Sequence, residues 1–188
     1  MELKEKKLSS TEIYKGKILD VYKDKVLCPN GHESYREVVR HCKAVCILAI
    51  KDGKIAVEEQ YRYPYDEIIK EFPAGKVDKD EEPLHAAIRE LEEEIGFRAG
   101  KIEYLGEMYP TCAYTDEVIL LYYATDLVET KQSLDENEAL NYKFIDINEV
   151  KKMVLNNEIK DAKTICALSL FLLKWKYIFR KCFHLSFV

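Results

Sequence analysis

Residues 75–97 read GKVDKDEEPLHAAIRELEEEIGF, and the fold class is predicted from this stretch together with the segments on either side of it. Pro83 suits the first position of a helix, and Gly96 suits the left-handed residue that follows a last turn. Four apolar residues between them recur at helical spacing: Leu84, Ile88, Leu91 and Ile95. The pattern predicts an amphipathic helix over residues 83–95 with this stripe facing a core.

The same helix carries an acidic face beside or opposite the apolar stripe, and its members are Glu90, Glu93 and Glu94. A glutamate-rich helix face is usually only solvated surface. Here the acids lie near the helix C-terminus, where the dipole disfavours each anion by about 0.3–1 kcal/mol. No lysine or arginine lies between positions 91 and 96, and the small Ala86 and Ala87 leave room over the face. We therefore expect a hard divalent cation, Mg²⁺ or Mn²⁺, against these oxygens.

Strand-like runs flank the helix on both sides. Asn30-Gly31 predicts a hairpin within residues 11–41, and Asp52-Gly53 predicts a second hairpin that joins residues 43–50 to 54–60. Further strands are expected at 68–72, 102–109, 117–125 and 142–145. Helices are expected at 147–155 and 161–176, the latter with Asp161 as its cap. The pattern predicts a mixed α+β fold with a small N-terminal antiparallel β-sheet.

Length and charge narrow the class of protein. A chain of 188 residues suits one ordinary domain with a small extension. Its 29 basic and 34 acidic residues give a net charge of −5, which argues against a nucleic-acid partner but permits an anionic small molecule held through a metal. Six scattered cysteines without a CxxC pair predict reduced thiols in a cytoplasmic protein rather than a zinc site.

The two ends of the chain carry no clear targeting or spanning signal. Residues 1–7 are charged, so no apolar signal segment is expected there. Residues 167–188 are rich in Leu and Phe, but basic residues interrupt them before a membrane-spanning length accumulates. We expect a packed terminal helix with a loose tail, and a basic amphipathic membrane contact is the alternative.

Taken in order, the fixed positions of residues 75–97 resemble the Nudix box: Gly75, Glu81, Arg89-Glu90-Leu91, Glu93-Glu94 and Gly96-Phe97. Residues 10–175 also resemble the ADP-ribose pyrophosphatase branch, through EQYRYP, EFPAGK, YPTCAYTDEVILLYYA and LDENEA. The resemblance implies a Nudix-like α/β/α sandwich with a mixed sheet over 42–176. It implies an N-terminal β-sheet segment over 1–41 that contributes to dimerisation and the substrate site, and leaves the tail at 177–188 unexplained.

The resemblance also implies the residues of a metal site. By position, the metal ligands are the backbone carbonyl of Ala74 and three carboxylates, Glu90, Glu94 and Glu138. Glu136 resembles the catalytic base, and Glu93 is the competing candidate. The supporting residues are Gly75 and Gly96 at the turns, Arg89 orienting a glutamate, and Glu81 as an anchor or an additional ligand.

Substrate contacts are implied in the same way. Arg62 resembles the arginine that grips a diphosphate, and a surface arginine packed on tyrosines is the alternative. Arg36 and Glu37 resemble residues that meet the adenosine side, with a plain cross-strand ion pair as the alternative. Ala113 departs from the glycine that the branch usually has in its substrate loop, which affects the fine choice of substrate.

The implied function is Mg²⁺-dependent hydrolysis of ADP-ribose to AMP and ribose 5-phosphate. One alternative is hydrolysis of another nucleoside diphosphate sugar or nucleotide by the same residues. A second is a module that binds ADP-ribose without cleaving it. The resemblance further implies a homodimer in which the N-terminal sheet is exchanged between subunits.

Overall fold

A computed structural model of the chain describes the backbone of residues 2–184 and the side chains up to residue 174. The backbone of residues 177–184 continues the last helix, so the expected loose tail is wrong over these residues, and the side chains of 177–188 lie outside the described residues. The chain divides into two compact units, Met1–Lys43 with Tyr109–Val118, and Ala44–Met108 with Ile119–Val188. None of the helices in the described part combines the length and apolar composition that a membrane crossing needs.

The N-terminal unit is an antiparallel sheet of three strands, β1 (Lys6–Lys15), β2 (Leu19–Leu27) and β3 (Glu33–His41), in that order. The hairpin predicted at Asn30-Gly31 is confirmed, because β2 pairs with β3 around it and Gly31 takes a φ of 85°. Residues 109–118 attach to β3, since the Val39 amide donates to the Tyr114 carbonyl over 2.7 Å. The small N-terminal antiparallel sheet is therefore present as expected.

In the described part of the chain, the larger unit contains seven strands and three helices. The strands are β4 (Ala44–Lys51), β5 (Lys54–Arg62), β6 (Glu67–Glu71), β7 (Ala74–Lys76), β8 (Phe97–Met108), β9 (Ile119–Glu129) and β10 (Leu140–Asp146). A 3₁₀ turn spans Tyr63–Tyr65, and the helices are α1 (Pro83–Ile95), α2 (Ile147–Leu155) and α3 (Ala162–His184). The strand order is β10-β5-β4-β9-β8, with β6 beside β5 and β7 beside β4. Because β4 runs parallel to β9 and antiparallel to β5, the sheet is mixed.

Strand β4 is buried on both faces, which places it at the centre of a sandwich. Val45 and Ile47 belong to the cluster that includes the buried residues of α1. Cys46 and Leu48, which alternate with them, belong to the cluster formed with α2 and α3. Successive side chains of a strand point to opposite faces. The sheet thus separates α1 from α2 and α3, and the expected α/β/α sandwich is confirmed.

The predicted second hairpin is much shorter than expected. Strands β4 and β5 pair only at Ile50–Ile55 and Lys51–Lys54. Beyond these pairs β4 takes β7 as its neighbour, while β5 takes β6. The two strands therefore diverge, and β7 is placed beside α1.

The bounds predicted for α1 are correct, but the predicted core stripe is wrong at its first turn. Leu84 is 41% exposed, whereas Ala86 and Ala87 are fully buried. Small side chains let the helix approach the sheet closely, so the alanines are part of the core rather than an open floor. Leu91 and Ile95 remain core residues, each contributing about 1.5–3 kcal/mol by burial. The buried face consequently turns toward Glu90 and Glu94.

Thr164 ties the first turn of α3 to the end of β6. Its Oγ1 accepts from the Phe72 amide over 2.9 Å and donates to Asp161 Oδ2 over 2.6 Å. Asp161 also accepts from the Thr164 amide over 2.9 Å, as a helix cap does. Both Thr164 and Phe72 are fully buried, so the Phe72 amide depends on this hydroxyl.

Replacing Thr164 by Val should lower the free energy of unfolding by about 1–3 kcal/mol, because the buried Phe72 amide loses its acceptor. Urea unfolding followed by circular dichroism measures the change. Thr125→Val at a half-buried position of β9 is the matched control and should change stability by less than about 0.5 kcal/mol. Equal stability of Thr164→Val and the wild type would contradict the role given to the hydroxyl.

Candidate functional site

Glu94 is the most deeply buried acid of α1, with 3% of the residue exposed. Its Oε2 accepts from the amide of Ala74 in β7 over 2.8 Å. Burial, reinforced by the charge of Glu58, raises the pKa of Glu94 well above its ordinary value. The carboxyl therefore lies where its ionised form is costly unless positive charge joins it.

Glu90 lies against the glycine of β7. A Cβ atom added to Gly75 would lie 2.0 Å from the Glu90 carboxyl carbon, so only glycine admits this side chain. Burial raises the pKa of Glu90 to about 7, although the neighbouring Arg89 opposes the rise. Gly75 lies within β7 rather than at the turn expected for it, and its role is to leave room for the Glu90 carboxylate.

Arg89 organises the outer acids of the segment. Its Nε and Nη2 donate to the two carboxylate oxygens of Glu81, each over 3.0 Å. Its Nη1 donates to Glu90 over 2.8 Å and to Glu93 over 2.9 Å. Hydrogen bonding to Arg89 holds the pKa of Glu81 below its usual value. A fork shared among three carboxylates orients them together, which fits the supporting role expected for Arg89 and Glu81.

The helix acids are better compensated than the sequence suggested. Besides the contacts of Arg89, Arg98 pairs with Glu92 over 2.9 Å. Among the described residues, Glu94 is the α1 glutamate without an ion-pair partner. The expectation that no cation offsets this acidic run is therefore wrong for Glu90, Glu92 and Glu93, because the compensating arginines lie just outside positions 91–96.

Two further buried carboxylates, Glu58 and Glu71, were missed by the sequence analysis. They face each other across the β5–β6 pairing, and each is 2% exposed. Arg62 Nε donates to Glu71 Oε1 over 2.7 Å, and Lys163 Nζ donates to Glu71 Oε2. Burial pushes the pKa of Glu71 upward, but these two cations outweigh it and the pKa lies below its usual value.

Glu58 has no such compensation. Its Oε1 is buried and has no hydrogen-bond partner among the described residues. Burial, followed by the charge of Glu71, raises the pKa of Glu58. One sequence signal could have indicated that Glu58 is buried. It follows directly after the apolar run Ile55-Ala56-Val57, in a strand that would be buried if it paired on both sides.

The loop acids lie on the β5 side of the site. Glu138 accepts from Gln60 Nε2 over 3.1 Å, and its charge helps to raise the pKa of Glu90 and of Glu94. A cleft of about 450 Å³ adjoins it, with Tyr61 and Ile68 among its lining residues. Glu138 is thus placed near the buried carboxylates.

The two candidates for the base differ in their constraints. Glu136 is exposed in the same turn as Glu138. Glu93 has an exposed side-chain fraction of 39%, and its Oε2 is held by Arg89. Neither position is assigned by geometry alone, and the choice stays a prediction.

Arg36 and Glu37 lie in the N-terminal unit, on β3. Being consecutive in a strand, they point to opposite faces of the sheet. Arg36 Nε donates to Glu5 over 3.0 Å, so this guanidinium is held by a carboxylate of its own unit. Ala113 lies in the exposed turn of residues 112–114. The adenosine contact expected of Arg36 and Glu37 remains a prediction.

The buried acids fit a hard divalent cation by their chemistry. All their donor atoms are oxygens, and Glu58 Oε1 is an orphaned buried oxygen. Gly75 makes the space that a Cβ would fill. Within the described residues, no three side chains of His, Cys, Asp or Glu already converge as a complete cage. Mg²⁺ needs no such cage, because one or two carboxylates with water and substrate phosphates suffice.

Comparisons with known proteins agree with this geometry. The NUDIX domain family matches residues 40–168, and the nucleoside diphosphate sugar hydrolase N-terminal domain matches residues 5–39. A Bacillus subtilis (strain 168) protein named ADP-ribose pyrophosphatase is 39% identical over 175 residues, which cover 92% of this chain and 95% of that protein. A Bacillus methanolicus protein named methanol dehydrogenase activator is 38% identical over 167 residues, which cover 87% of this chain and 90% of that protein.

A solved structure of an ADP compounds hydrolase has the same fold. It superposes with a TM-score of 0.83 at 24% sequence identity, over 92% of this chain and 94% of its own. The family match spans more than half of the sequence and contains β7, α1 and the loop acids. The chain therefore belongs to the Nudix family of hydrolases.

Proposed function

We propose that this protein hydrolyses the diphosphate linkage of ADP-ribose and releases AMP and ribose 5-phosphate. The observation that carries the proposal is the set of buried carboxylates around β7 and α1, with Arg62 close to them. A relative named ADP-ribose pyrophosphatase, 39% identical over nearly its whole length, supports the choice of substrate.

In this proposal Glu90, Glu94 and Glu138, with the carbonyl of Ala74, hold Mg²⁺, or Mn²⁺ in its place. A bound divalent ion supplies neutralisation of the phosphate oxygens and lowers the pKa of bound water. Glu136 removes the proton of the attacking water, with Glu93 as the competing base. The cleft beside Glu138 accommodates part of the nucleotide sugar.

Arg62 is proposed to bind the diphosphate. Its Nε is committed to Glu71, which Lys163 holds from α3. A guanidinium fixed at Nε presents its remaining N–H groups in a set direction, and such a fork matches phosphate oxygens. The alternative of an arginine merely packed on tyrosines does not explain why its partner carboxylate is buried and doubly held.

The direct test is a substrate panel with product identification. Purified protein is incubated with ADP-ribose, ADP-glucose and GDP-mannose, with Mg²⁺, with Mn²⁺ and with a chelator, and products are separated by chromatography. We expect AMP and ribose 5-phosphate from ADP-ribose at the highest kcat/KM, and none with chelator. Faster cleavage of another nucleotide sugar would move the proposal to that substrate. Tight binding of ADP-ribose without AMP release would favour a sensing module.

Glu94→Gln should lower kcat at least about a hundredfold, because a metal-holding charge is removed from a buried position. Circular dichroism should show an unchanged fold, since the amide oxygen of Gln can still accept from Ala74. Glu92→Gln is the matched control on the same helix, because Glu92 is engaged with Arg98 outside the site. Wild-type turnover by Glu94→Gln would contradict the metal assignment.

The N-terminal unit supports a homodimer with an exchanged sheet. All ten residues of β1 are exposed, and apolar side chains stand among them, including Leu8, Ile13 and Tyr14. An edge strand with exposed apolar side chains is a template for association with another chain.

Sedimentation velocity should therefore give about twice the chain mass of 22.0 kDa. Ile13→Lys on β1 should shift the protein toward the monomer, because a charge replaces an apolar contact. Lys15→Glu, also exposed on β1, serves as the control for altered charge. A wild-type monomer at micromolar concentration would contradict the exchange.

We also propose a reducing, cytoplasmic location. Four cysteines of the described residues, Cys28, Cys46, Cys112 and Cys166, are free thiols, and Cys46 is buried in the core. Free thiols at this density persist where disulfides are kept reduced.

A further inference from the structure

Glu58 lies on β5 just beyond the point where β4 and β5 diverge. The residue is 2% exposed, and its Oε1 has no hydrogen-bond partner within the described part of the chain. Leaving an ionised carboxylate without a partner in such a place is strongly unfavourable. A buried acid with an open oxygen needs a physical explanation.

The nearby cations do not provide one. Lys163 and Arg62 are the positive side chains that act on Glu58, and both donate to Glu71 instead. Arg89, another positively charged side chain of the site, forms ion pairs with Glu81, Glu90 and Glu93. The side chains that the structure describes therefore leave Glu58 to be neutralised by a bound cation or by a proton.

Glu94 is a second buried carboxylate that no positive side chain of the described residues pairs with. The charge of Glu58 is the strongest of the charges acting on Glu94, and both residues are almost completely buried. The Oε2 of Glu94 is already bound to the Ala74 amide. Glu58 points to the same face of the sheet as Ala56, which packs in the cluster with the buried residues of α1. Two buried carboxylates, one on β5 and one on α1, offer the oxygen donors that Mg²⁺ and Mn²⁺ accept, with water or phosphate completing the shell.

We propose that Glu58 of β5 is an additional ligand of a divalent cation, shared with Glu94 of α1. This inference rests on the proposed function, because it concerns the same metal-dependent site, and it adds a donor from outside residues 75–97. It explains why an acid follows the apolar run of β5 and why its oxygen is left open. The competing explanation is that Glu58 is permanently protonated and only fills space.

The decisive variant is Glu58→Gln, since glutamine has the shape of the protonated acid but cannot act as a charged ligand. Mn²⁺ binding to the full-length protein is measured by titration calorimetry, with electron paramagnetic resonance counting free Mn²⁺. We expect Glu58→Gln to bind Mn²⁺ at least about tenfold more weakly or to lose one bound ion. We also expect a higher melting temperature than the wild type without metal, and a smaller rise when Mn²⁺ is added.

Two further variants keep the outcomes separate. Glu103→Gln on β8 removes an exposed carboxylate that pairs with Lys101. This variant should bind Mn²⁺ as tightly as the wild type does. Glu58→Asp keeps the charge but withdraws it by one methylene, so it should bind with intermediate affinity, and it replaces Glu58→Gln should that variant not fold.

Wild-type Mn²⁺ affinity and stoichiometry in Glu58→Gln, or in Glu58→Asp when it stands in, would overturn the assignment of Glu58 as a ligand. Such a result, with weakened binding by Glu94→Gln, leaves the proposed function intact. A wild-type protein that binds no Mn²⁺ and cleaves no ADP-ribose would overturn the proposed function as well as the ligand.

Discussion

Buried negative charge is the constraint around which the larger unit is arranged. Glu58, Glu71 and Glu94 are each almost completely removed from water, and Glu90 is largely so. A carboxylate in such surroundings is stable only when protonated, hydrogen-bonded or paired. The chain supplies full compensation to Glu71 and partial compensation to Glu90. It supplies a single amide to Glu94 and leaves an oxygen of Glu58 open.

This uneven compensation follows from the topology of the sheet. Once β4 and β5 separate, each strand gains a new neighbour, β7 or β6. Strand β7 carries Ala74 and Gly75 to the acids of α1, while β6 carries Glu71 to Glu58. Glu71 accepts from Arg62 of β5 and from Lys163 of α3, so this ion-pair network extends from the sheet to α3. One divergence between two strands therefore places acids from a helix and from a sheet in a common region.

The sequence predicted the local elements well, because their signals are local. Pro83 and Gly96 mark the ends of α1 correctly, and Asn30-Gly31 marks its hairpin. The orientation of α1 could not be predicted, because the apolar stripe contains Leu84 although packing selects the smaller Ala86 and Ala87. The importance of Glu58 and of Glu71 depends on which strands become neighbours. Glu71 opens the EFPAGK motif, but the motif does not show which residues this acid contacts, and Glu58 lies just before EQYRYP.

The position of Glu58 in β5 also restricts how the sheet can assemble. Val57 packs with α2 and α3, and its successor, Glu58, has a carboxyl group. Shifting β5 by one residue along its neighbours would exchange its two buried faces and move this carboxyl group from the acid cluster into the hydrocarbon packing of α2 and α3. Such misaligned assemblies are penalised far more heavily than they would be for a strand of valines and isoleucines. Glu58 therefore also disfavours a shifted pairing of β5 with its neighbours.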